Sequence, residues 1–333
     1  MTSLILANQN IANAKHSILY VGKGYYEKIQ DAIDAAEPGD MIYVYNGTYY
    51  ENITINKSIK LIGENPKTTI IDGNVNGIRI EVTVDNVYIE GFTIKHGVAG
   101  ILLLSSNGHK ILNNIVTANE EGIYLRYSNN TLVYNNLILN NTLSGICLWD
   151  TTNNIILGNL IYGGKGFGID FWTIGRNNKI IANTIVNNSW CGIYMSYSDG
   201  NILFRNNLID NPALTQNSTN TWDNGVEGNF WDIYNGTDEN GDGIGDSPYI
   251  IDKKNKDDHP LMKPYVLGDL NHDGIVNNED VNILKSVFGA ETGEKSWDIR
   301  ADLNYDKIIN AKDAILIGVN YNKTSSQLIS LNC

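Results

Sequence analysis

Proline and cysteine are scarce in this chain: its 333 residues include six prolines and three cysteines. An odd number of cysteines predicts no disulfide framework. Cys333 stands on a polar C-terminal tail, and its sequence surroundings assign it no role. The fold therefore has to be held by packing, hydrogen bonds or bound ions.

Long apolar runs and an excess of positive charge are also lacking. No run of 18 apolar residues occurs, so we expect no membrane insertion. The net charge of −13 argues against nucleic acid, whose phosphates require a basic surface. The start, Met1 to Ala7, has no basic segment and no long apolar core. No secretion signal is visible in this chain, and we expect that one was removed.

A Gly-Ile pair recurs through the first two thirds of the chain. The steps between successive pairs are 23, 22, 23, 23 and 24 residues, and the glycines are Gly77, Gly100, Gly122, Gly145, Gly168 and Gly192. Apolar and polar residues alternate within each repeat, as in short strands. A repeat of this length built from strands predicts an all-β, right-handed parallel β-helix of about ten coils. Cys147 and Cys191 lie about two repeats apart, so we expect no bond between them.

Asparagines recur with the same period. They are Asn114, Asn136, Asn159, Asn183 and Asn207. Asparagine accepts left-handed backbone at turns, and its amide can form ladders between coils, so we interpret this series as structural. The alternation predicts that one set of side chains points inward and stacks from coil to coil: Ile123, Leu125, Ile146, Leu148, Ile169 and Phe171.

The segment before the repeats predicts a cap. Residues 25–40 read as a short amphipathic helix ended by Pro38-Gly39, and short apolar stretches follow up to Gly73. This opening resembles that of pectin-lyase-fold proteins, including pectin methylesterases and the archaeal surface proteins of NosD-like β-helix type. The resemblance covers residues 17–262 and implies the fold more strongly than an activity. We place the β-helix with its N-terminal capping helix at residues 1–235.

Two loops rich in oxygen side chains stand 33 residues apart near the end of the chain. Each has acidic or amide residues at positions 1, 3, 5, 9 and 12, and position 7 is free to offer a backbone carbonyl. A hard cation such as Ca²⁺ requires this spacing. The predicted ligands are Asp269, Asn271, Asp273, Ile275, Asn277 and Asp280 in the first loop, and Asp302, Asn304, Asp306, Ile308, Asn310 and Asp313 in the second.

This duplicated loop and helix resembles a type I dockerin. The resemblance implies a small α-helical module at residues 265–321 that binds two Ca²⁺ ions and a cohesin-like partner domain. Lys307 replaces the glycine of the second loop, so we expect weaker occupancy there. Positions 10 and 11, which contact cohesin in the family, are Asn278-Glu279 and Ala311-Lys312. Their difference argues against two symmetric binding modes.

A third acidic loop precedes the module. Its predicted ligands are Asp238, Asn240, Asp242, Ile244 and Asp246. Position 12 is Tyr249 and no helix follows, so a third Ca²⁺ ion and a plain acidic turn are both compatible with the pattern. We assign residues 236–264 to a closing segment and linker. Residues 322–333 are predicted to form a flexible tail.

Aromatic residues line one predicted outward face of the β-helix. They are Tyr124, Trp149, Trp172, Tyr194 and Tyr197. Exposed rings next to polar groups suit the faces and hydroxyls of a polysaccharide, whereas the same rings can also stabilise neighbouring strands by packing. Both interpretations remain open from sequence.

Asp150, Asp170 and Arg126 are the candidate catalytic residues on this face. The two aspartates are expected on adjacent coils, where paired carboxyls could act as acid and base. The sequence motifs of polygalacturonases are missing, the likeness of residues 168–171 to a pectin methylesterase element is faint, and the five histidines are too scattered for copper.

The sequence thus predicts an extracellular or cell-surface protein, more consistent with a non-catalytic assembly component than with an enzyme. The alternatives are a polysaccharide lyase or glycoside hydrolase targeted by the dockerin-like module, and a structural protein that assembles with other copies of itself. The expected partners are a cohesin-like domain or another copy, together with a polysaccharide.

Overall fold

The computed structural model of the chain describes residues 16–73 and 77–329. The first strands are β1 (Ile18–Val21), β2 (Met41–Val44), β3 (Gly47–Tyr49), β4 (Ile53–Ile55), β5 (Lys60–Gly63), β6 (Thr69–Asp72), β7 (Ile78–Val82), β8 (Tyr88–Glu90), β9 (Thr93–Lys95), β10 (Ala99–Leu104), β11 (Lys110–Leu112), β12 (Ile115–Thr117), β13 (Glu121–Arg126) and β14 (Leu132–Tyr134). The later strands are β15 (Leu137–Leu139), β16 (Ser144–Trp149), β17 (Ile155–Leu157), β18 (Leu160–Tyr162), β19 (Phe167–Thr173), β20 (Lys179–Ile181), β21 (Thr184–Val186), β22 (Cys191–Ser196), β23 (Ile202–Phe204), β24 (Asn207–Ile209), β25 (Ala213–Gln216), β26 (Phe230–Trp231), β27 (Tyr249–Ile250) and β28 (Lys256–Asp257). The helices are α1 (Ile29–Ala35), α2 (Asn278–Ser286), α3 (Ala311–Asn320) and α4 (Ser325–Ile329).

Three parallel sheets run the length of the β-helix. Sheet A has nine strands in the order β1-β2-β5-β8-β11-β14-β17-β20-β23, and sheet B has nine in the order β3-β6-β9-β12-β15-β18-β21-β24-β26. Sheet C has eight, in the order β4-β7-β10-β13-β16-β19-β22-β25. Each strand therefore pairs with its equivalent one repeat away, and about nine coils form where the sequence predicted about ten. This confirms the predicted parallel β-helix.

The core is a set of stacked aliphatic columns. In sheet C, Ile101, Ile123, Ile146, Ile169 and Ile193 are in register and have no exposed surface. The six side chains predicted to point inward are all buried in this way. Full burial of one such side chain contributes about 1.5–3 kcal/mol, so every additional coil adds to stability.

Asparagine ladders hold the corners together. One ladder links the amides of Asn114, Asn136, Asn159, Asn183, Asn206 and Asn229 from coil to coil. The sequence prediction ended this series at Asn207, which was wrong, because Asn206 occupies the ladder position and Asn207 instead bonds to Tyr265. The residue before five of these six ladder positions has left-handed backbone, for example Asn135 at φ 52° and Ala182 at φ 53°.

Both ends of the aliphatic core are covered. Helix α1 buries Ile29, Ala32 and Ile33 at the N-terminal end, which confirms the predicted cap. At the other end Trp222 and Trp231 are buried, and the Tyr249 ring stacks on Trp231 with ring centroids 4.3 Å apart. Residues 236–264 thus contribute to closing the coil stack.

The C-terminal module has its own small core. It contains Val266, Leu270, Val276, Leu284, Ala290, Ala301, Leu303, Ile309 and Ile317. Part of the predicted tail is held against this module, because the Asn322 N–H donates to the Val276 carbonyl at 2.8 Å and α4 follows. Residues 330–333, including Cys333, lie outside the described residues. Cys147 and Cys191 are buried free thiols, as expected. Within residues 16–73 and 77–329, no helix combines the length and apolarity needed to cross a membrane.

Candidate functional site

The first acidic loop is folded around its own oxygens. Asp269 Oδ2 accepts from the Gly274 N–H at 2.9 Å, and Asp273 Oδ1 accepts from the Ile275 N–H at 2.9 Å. Gly274 has φ 88°, a left-handed conformation that glycine adopts without steric cost. The loop leads directly into α2, whose capping box pairs Asn277 with the predicted position-12 ligand Asp280.

The second loop repeats this geometry with one strained position. Asp302 Oδ2 accepts from the Lys307 N–H at 3.0 Å, and α3 begins with the capping box of Asn310 and Asp313. Lys307 itself is left-handed at φ 72°, which costs a non-glycine residue about 1 kcal/mol. The side chain of Lys312 reaches Asp306 at 2.7 Å, and this hydrogen bond holds the pKa of Asp306 below its ordinary value.

The oxygen groups of the first loop fit a hard cation. Asp269 is almost fully buried, yet its Oδ1 atom has no hydrogen-bond partner. Burial raises the pKa of Asp269 to about 6, and the nearby charges of Asp280 and Asp273 add to the rise. Negative charge thus converges on this loop, and His272 offsets only part of it. Carboxylate, amide and backbone oxygens of this kind suit Ca²⁺.

The third acidic loop adopts the same turn. Asp238 Oδ2 accepts from the Gly243 N–H at 3.0 Å, and Asp242 Oδ1 accepts from the Ile244 N–H at 2.9 Å. Asp246 bonds back to the Glu239 N–H at 2.8 Å. Its predicted ligand side chains lie at the surface, unlike Asp269, so the loop is more open than the first one. A third ion here stays a prediction.

Three of the aromatic residues predicted to line this face, Tyr124, Trp149 and Trp172, form one continuous strip on sheet C. The Trp149 and Trp172 rings stack with centroids 5.7 Å apart and planes 10° apart, and Tyr124 lies 6.5 Å from Trp149. The Arg126 guanidinium sits 5.2 Å from the Trp149 ring centroid. Tyr197 is exposed at the left-handed corner after β22. Arg126 therefore supports the strip by a cation–π contact.

A pocket opens beside this strip. It has a volume of about 390 Å³ and is lined by Leu143, Phe167, Asp170, Trp172, Trp190, Tyr194 and Ser196. The Phe167 ring stacks on Tyr194 at 5.0 Å and meets Trp190 edge-on at 4.9 Å. Trp172 is 46% exposed and Trp190 is 57% exposed, so their faces are open to a ligand.

Asp170 is the polar residue at the base of this pocket. It is 1% exposed, and its Oδ1 atom has no hydrogen-bond partner. Burial raises the pKa of Asp170 to about 7, although the adjacent Ser144 hydroxyl partly offsets this. The group therefore exchanges its proton near neutral pH.

Glu121 is a second buried carboxyl whose pKa is affected by the charge of Asp170. Burial raises the pKa of Glu121 to about 7, and the charge of Asp170 contributes to the rise. Asp170 is in register with Cys147, which places Asp150 three residues, or about 10 Å, further along the neighbouring coil. The two aspartates thus lie on adjacent coils, as expected, but out of register, and their pairing as acid and base stays a prediction.

Sequence reasoning missed Glu121, Phe167 and Trp190. Glu121 and Phe167 belong to the column immediately before each Gly-Ile pair, in which Ser144 lies between them in register. Reading that column in addition to the two outward columns would have found both residues. Trp190 comes from the loop before β22, one residue before that column, where the two preceding coils have Gly166 and Leu143.

A buried polar network joins the C-terminal module to the β-helix. Arg205 and Glu227 have no exposed side-chain surface, and Arg205 Nε donates to Glu227 at 2.6 Å. Arg205 also donates to the Tyr305 hydroxyl at 3.0 Å, and Glu227 contacts His272. Burial opposes ionisation of Glu227, but Arg205 and His272 outweigh it and lower its pKa to about 2.

The two contacts from the module come from equivalent places. His272 and Tyr305 are each at position 4 of their loop, and each is left-handed at φ 58°. Tyr305 also packs edge-on against Phe204, with ring centroids 5.6 Å apart. Both loop tips therefore contact the β-helix, while Ile315 and Val319 on α3 are exposed.

Fold and site together define a parallel β-helix protein with a module of paired acidic loops. Residues 33–236 match the family described as periplasmic copper-binding protein (NosD), and residues 267–318 match the type I dockerin domain. Since the first match spans more than half of the chain, the protein belongs to the NosD family of β-helix proteins and carries a dockerin module.

Two similar proteins extend these matches. A cell surface glycoprotein of Methanothermus fervidus is 35% identical over 199 residues, covering 56% of this chain and 33% of that protein. The match therefore spans about a third of that relative. The crystal structure of an alginate lyase from Paenibacillus sp. str. FPU-7 is similar with a TM-score of 0.53 and 16% identity, over 65% of this chain and 88% of that chain. This second likeness shows the fold alone.

The family description names copper, but the described residues do not fit a copper site. Copper prefers grouped His, Cys and Met side chains. Here His96 bonds to Asp72, His109 to Ser106, and His272 contacts Glu227, each in a separate place. Within the described ranges, no three His, Cys, Asp or Glu side chains are grouped so that they could hold a metal. The acidic loops depend instead on amide and carbonyl oxygens in addition to their aspartates.

Proposed function

We propose that this protein is an extracellular assembly component that attaches a β-helix to a partner through a calcium-dependent dockerin module at residues 265–321. The observation that carries the proposal is the pair of acidic loops, each of which ends in a capped helix. Calcium bound there supplies the charge that the converging carboxylates lack. The resemblance to a cell surface glycoprotein supports a location at the cell surface.

The partner is proposed to be a cohesin-like domain that contacts α3 and α2. Lys312, Ile315 and Val319 are exposed on α3, where they form a surface with apolar residues one helical turn apart. The loop tips cannot take part, because His272 and Tyr305 are committed to the β-helix. A second copy of the chain is the alternative partner.

Calcium titration calorimetry on the full chain tests the metal part of this proposal. We expect two ions in the module and a third at residues 238–246. Asp269→Ala combined with Asp302→Ala should remove two binding events, whereas Asp31→Ala, an exposed aspartate on α1, should remove none. Absence of calcium binding would refute the proposal.

Binding to immobilised cohesin domains, with calcium or chelator, tests the partner. We expect binding that requires calcium and that Ile315→Asp weakens at least tenfold. Light scattering under the same conditions tests assembly between copies. If the protein stayed monomeric in calcium and bound none of the cohesin domains, the proposed attachment role would be wrong.

We further propose that the β-helix binds polysaccharide through the strip of Tyr124, Trp149, Trp172 and Tyr194. The exposed part of Trp172 and the adjoining pocket support this, because sugar rings pack on aromatic faces while carboxyl groups accept hydrogen bonds from sugar hydroxyls. Tyr197 extends the same surface at its exposed corner. In this function the protein presents or retains a glycan and does not cleave it.

Hydrolysis or lysis of the glycan is the second candidate. Two buried carboxyls with raised pKa values, Asp170 and Glu121, favour it, since one protonated and one ionised carboxyl can serve as acid and base. Release of reducing ends or unsaturated sugars from neutral and acidic polysaccharides tests it. Activity that Asp170→Asn and Glu121→Gln abolish would replace the non-catalytic role.

A further inference from the structure

The pocket beside the aromatic strip has walls and a base of different chemistry. Its walls are the rings of Phe167, Trp172, Trp190 and Tyr194, which present apolar faces. Its volume of about 390 Å³ falls within the range of about 300–1,000 Å³ that is usual for small-molecule sites. A flat ligand that is apolar on its faces and polar at its edge fits such a pocket.

Asp170 lines the pocket, Ser144 and Glu121 belong to the two preceding coils, and one buried polar atom of each has no hydrogen-bond partner within the protein. Asp170 Oδ1, Glu121 Oε2 and Ser144 Oγ are all buried and make no hydrogen bond. Asp170 is 1% exposed and Glu121 is 8% exposed, and buried polar atoms of this kind are nearly always hydrogen-bonded in folded proteins. These three atoms, one from each of three neighbouring coils, are therefore available to form hydrogen bonds with a ligand.

The charge of the pocket restricts the ligand. No Lys, Arg or His is among the described residues that line it, and Arg126 is engaged over the rings of Trp149 and Tyr127. A carboxylate ligand would enter beside Asp170 and Glu121 without a cation to balance it.

We propose that Asp170, with Ser144 and Glu121 on the two preceding coils, forms the polar side of a subsite for an uncharged sugar ring. The β-helix accordingly selects a neutral glycan and rejects polyuronates. The ring stacks against Trp172 and Trp190, and its hydroxyls satisfy the buried carboxyls. This inference rests on the proposed polysaccharide binding and assigns its substrate class.

Matched pairs of oligosaccharides test the selection. The full calcium-loaded chain is titrated by calorimetry with oligomers of glucose and glucuronate, galactose and galacturonate, and mannose and mannuronate. We expect the neutral member of at least one pair to bind at least tenfold more tightly than its uronate. Trp190→Ala should weaken that binding at least tenfold, whereas Tyr50→Ala, an exposed ring far from the pocket, should not alter it.

Removal of the pocket charge gives a second readout. Asp170→Asn should raise uronate affinity at least tenfold, because it removes a repelling carboxyl, while neutral-glycan affinity falls. A merely structural role for Asp170 would lower both affinities together. If this variant does not fold, the exposed Trp190→Ala variant still decides whether the glycan occupies the pocket.

The possible failures are distinguishable. Tighter binding of the uronates, lost in Trp190→Ala, would overturn the subsite and leave polysaccharide binding intact. Absence of binding by every oligosaccharide would overturn both. Binding of tetramethylammonium, abolished by Asp170→Asn and unaccompanied by any glycan, would assign the aromatic walls to an organic cation and overturn the subsite.

Discussion

At the scale of single residues, the ladder asparagines connect the coils through both ends of their amides. Asn159 Nδ2 donates to Asn183 Oδ1 and to the Val133 carbonyl, each at 2.9 Å. Its Oδ1 accepts from the Asn136 N–H at 2.9 Å. One buried side chain thus satisfies two backbone groups of the preceding coil and bonds to the Asn183 side chain of the following coil.

Replacing Asn159 with alanine should destabilise the β-helix by about 3 kcal/mol, because it leaves the buried Asn136 N–H and Val133 carbonyl without partners. Urea denaturation at fixed calcium measures the change. Asn56→Ala is the matched control, since Asn56 is exposed, and its loss should cost less than about 0.5 kcal/mol. Equal effects of the two substitutions would contradict a structural role for the ladder.

Asp170 should give the fold a pH dependence of unusual sign. Its pKa is about 7 in the folded protein and 3.8 in the ordinary carboxyl, so the folded state holds the proton more tightly. Stability is therefore full below about pH 4 and declines as pH rises to 7. Asp170→Asn should match the wild type at pH 4 and exceed it by about 2–4 kcal/mol at pH 8.

Urea denaturation from pH 4 to 8 in saturating calcium checks this difference. The comparison at pH 4 is the internal control, because both proteins carry a neutral side chain at that pH. If the free energies of unfolding of the wild type and Asp170→Asn changed in parallel from pH 4 to 8, the Asp170 carboxyl would not be desolvated in the folded protein.

At the scale of elements, the strands were the most predictable part of the molecule. The Gly-Ile pairs gave the period, and alternation within each repeat placed Ile123 and Ile146 inside. Successive coils pack in the same way, so a correct prediction of the inward residues in one coil also holds for the next. The paired loops and the helices that follow them were also predicted, since each loop leads into a capped helix, while ion binding by the loops stays a prediction.

The pocket was less predictable for physical reasons. Outward side chains are not constrained by the core, so the period says nothing about which of them meet. A bulge shifts the register between Leu148 and Trp149, so that Trp149 aligns with Thr173, not Trp172. Trp190 enters from a loop, and Glu121 lies three residues before Tyr124 on a column that the alternation did not mark as functional.

Lys307→Gly should strengthen the second calcium loop. The substitution relieves a left-handed backbone at φ 72° and removes a positive charge near the proposed ion. We expect calcium affinity of that loop to rise about five- to tenfold, equivalent to about 1–1.4 kcal/mol. Titration calorimetry should resolve this event while the first loop is unchanged, and an unaltered second event would show that Lys307 does not limit the site.

At the scale of the whole molecule, the module and the β-helix share buried charge. Arg205 and Glu227 come from the β-helix, and Tyr305 and His272 come from the module. Asn207 adds two hydrogen bonds to the backbone of Tyr265, at 3.0 and 2.7 Å. These contacts hold the module against the C-terminal coils.

Removing one member of the buried pair should be costly. Glu227→Ala leaves Arg205 charged and unpaired, so we expect a loss of about 3–5 kcal/mol and separate unfolding of the module. Differential scanning calorimetry should then show two transitions in place of one. Arg205→Gln combined with Glu227→Gln should recover part of the loss, because no uncompensated charge remains.

Lys256→Gln is the control for this experiment. The Lys256–Asp258 ion pair lies at the surface, and its loss should cost less than about 1 kcal/mol. If loss of the buried pair and loss of the exposed pair changed the free energy of unfolding equally, the Arg205 network would not be what joins the module to the β-helix.

Because equivalent strands of successive coils pair with one another, the number of coils sets the length of the β-helix. Each coil bonds only to the coils before and after it, so duplication of one unit of 22–24 residues inserts about 4.8 Å without altering either end. The spacing between the anchored module and the far cap can thus change by gene duplication alone. Lineages can adjust the reach of such a protein from the cell while its attachment chemistry stays constant.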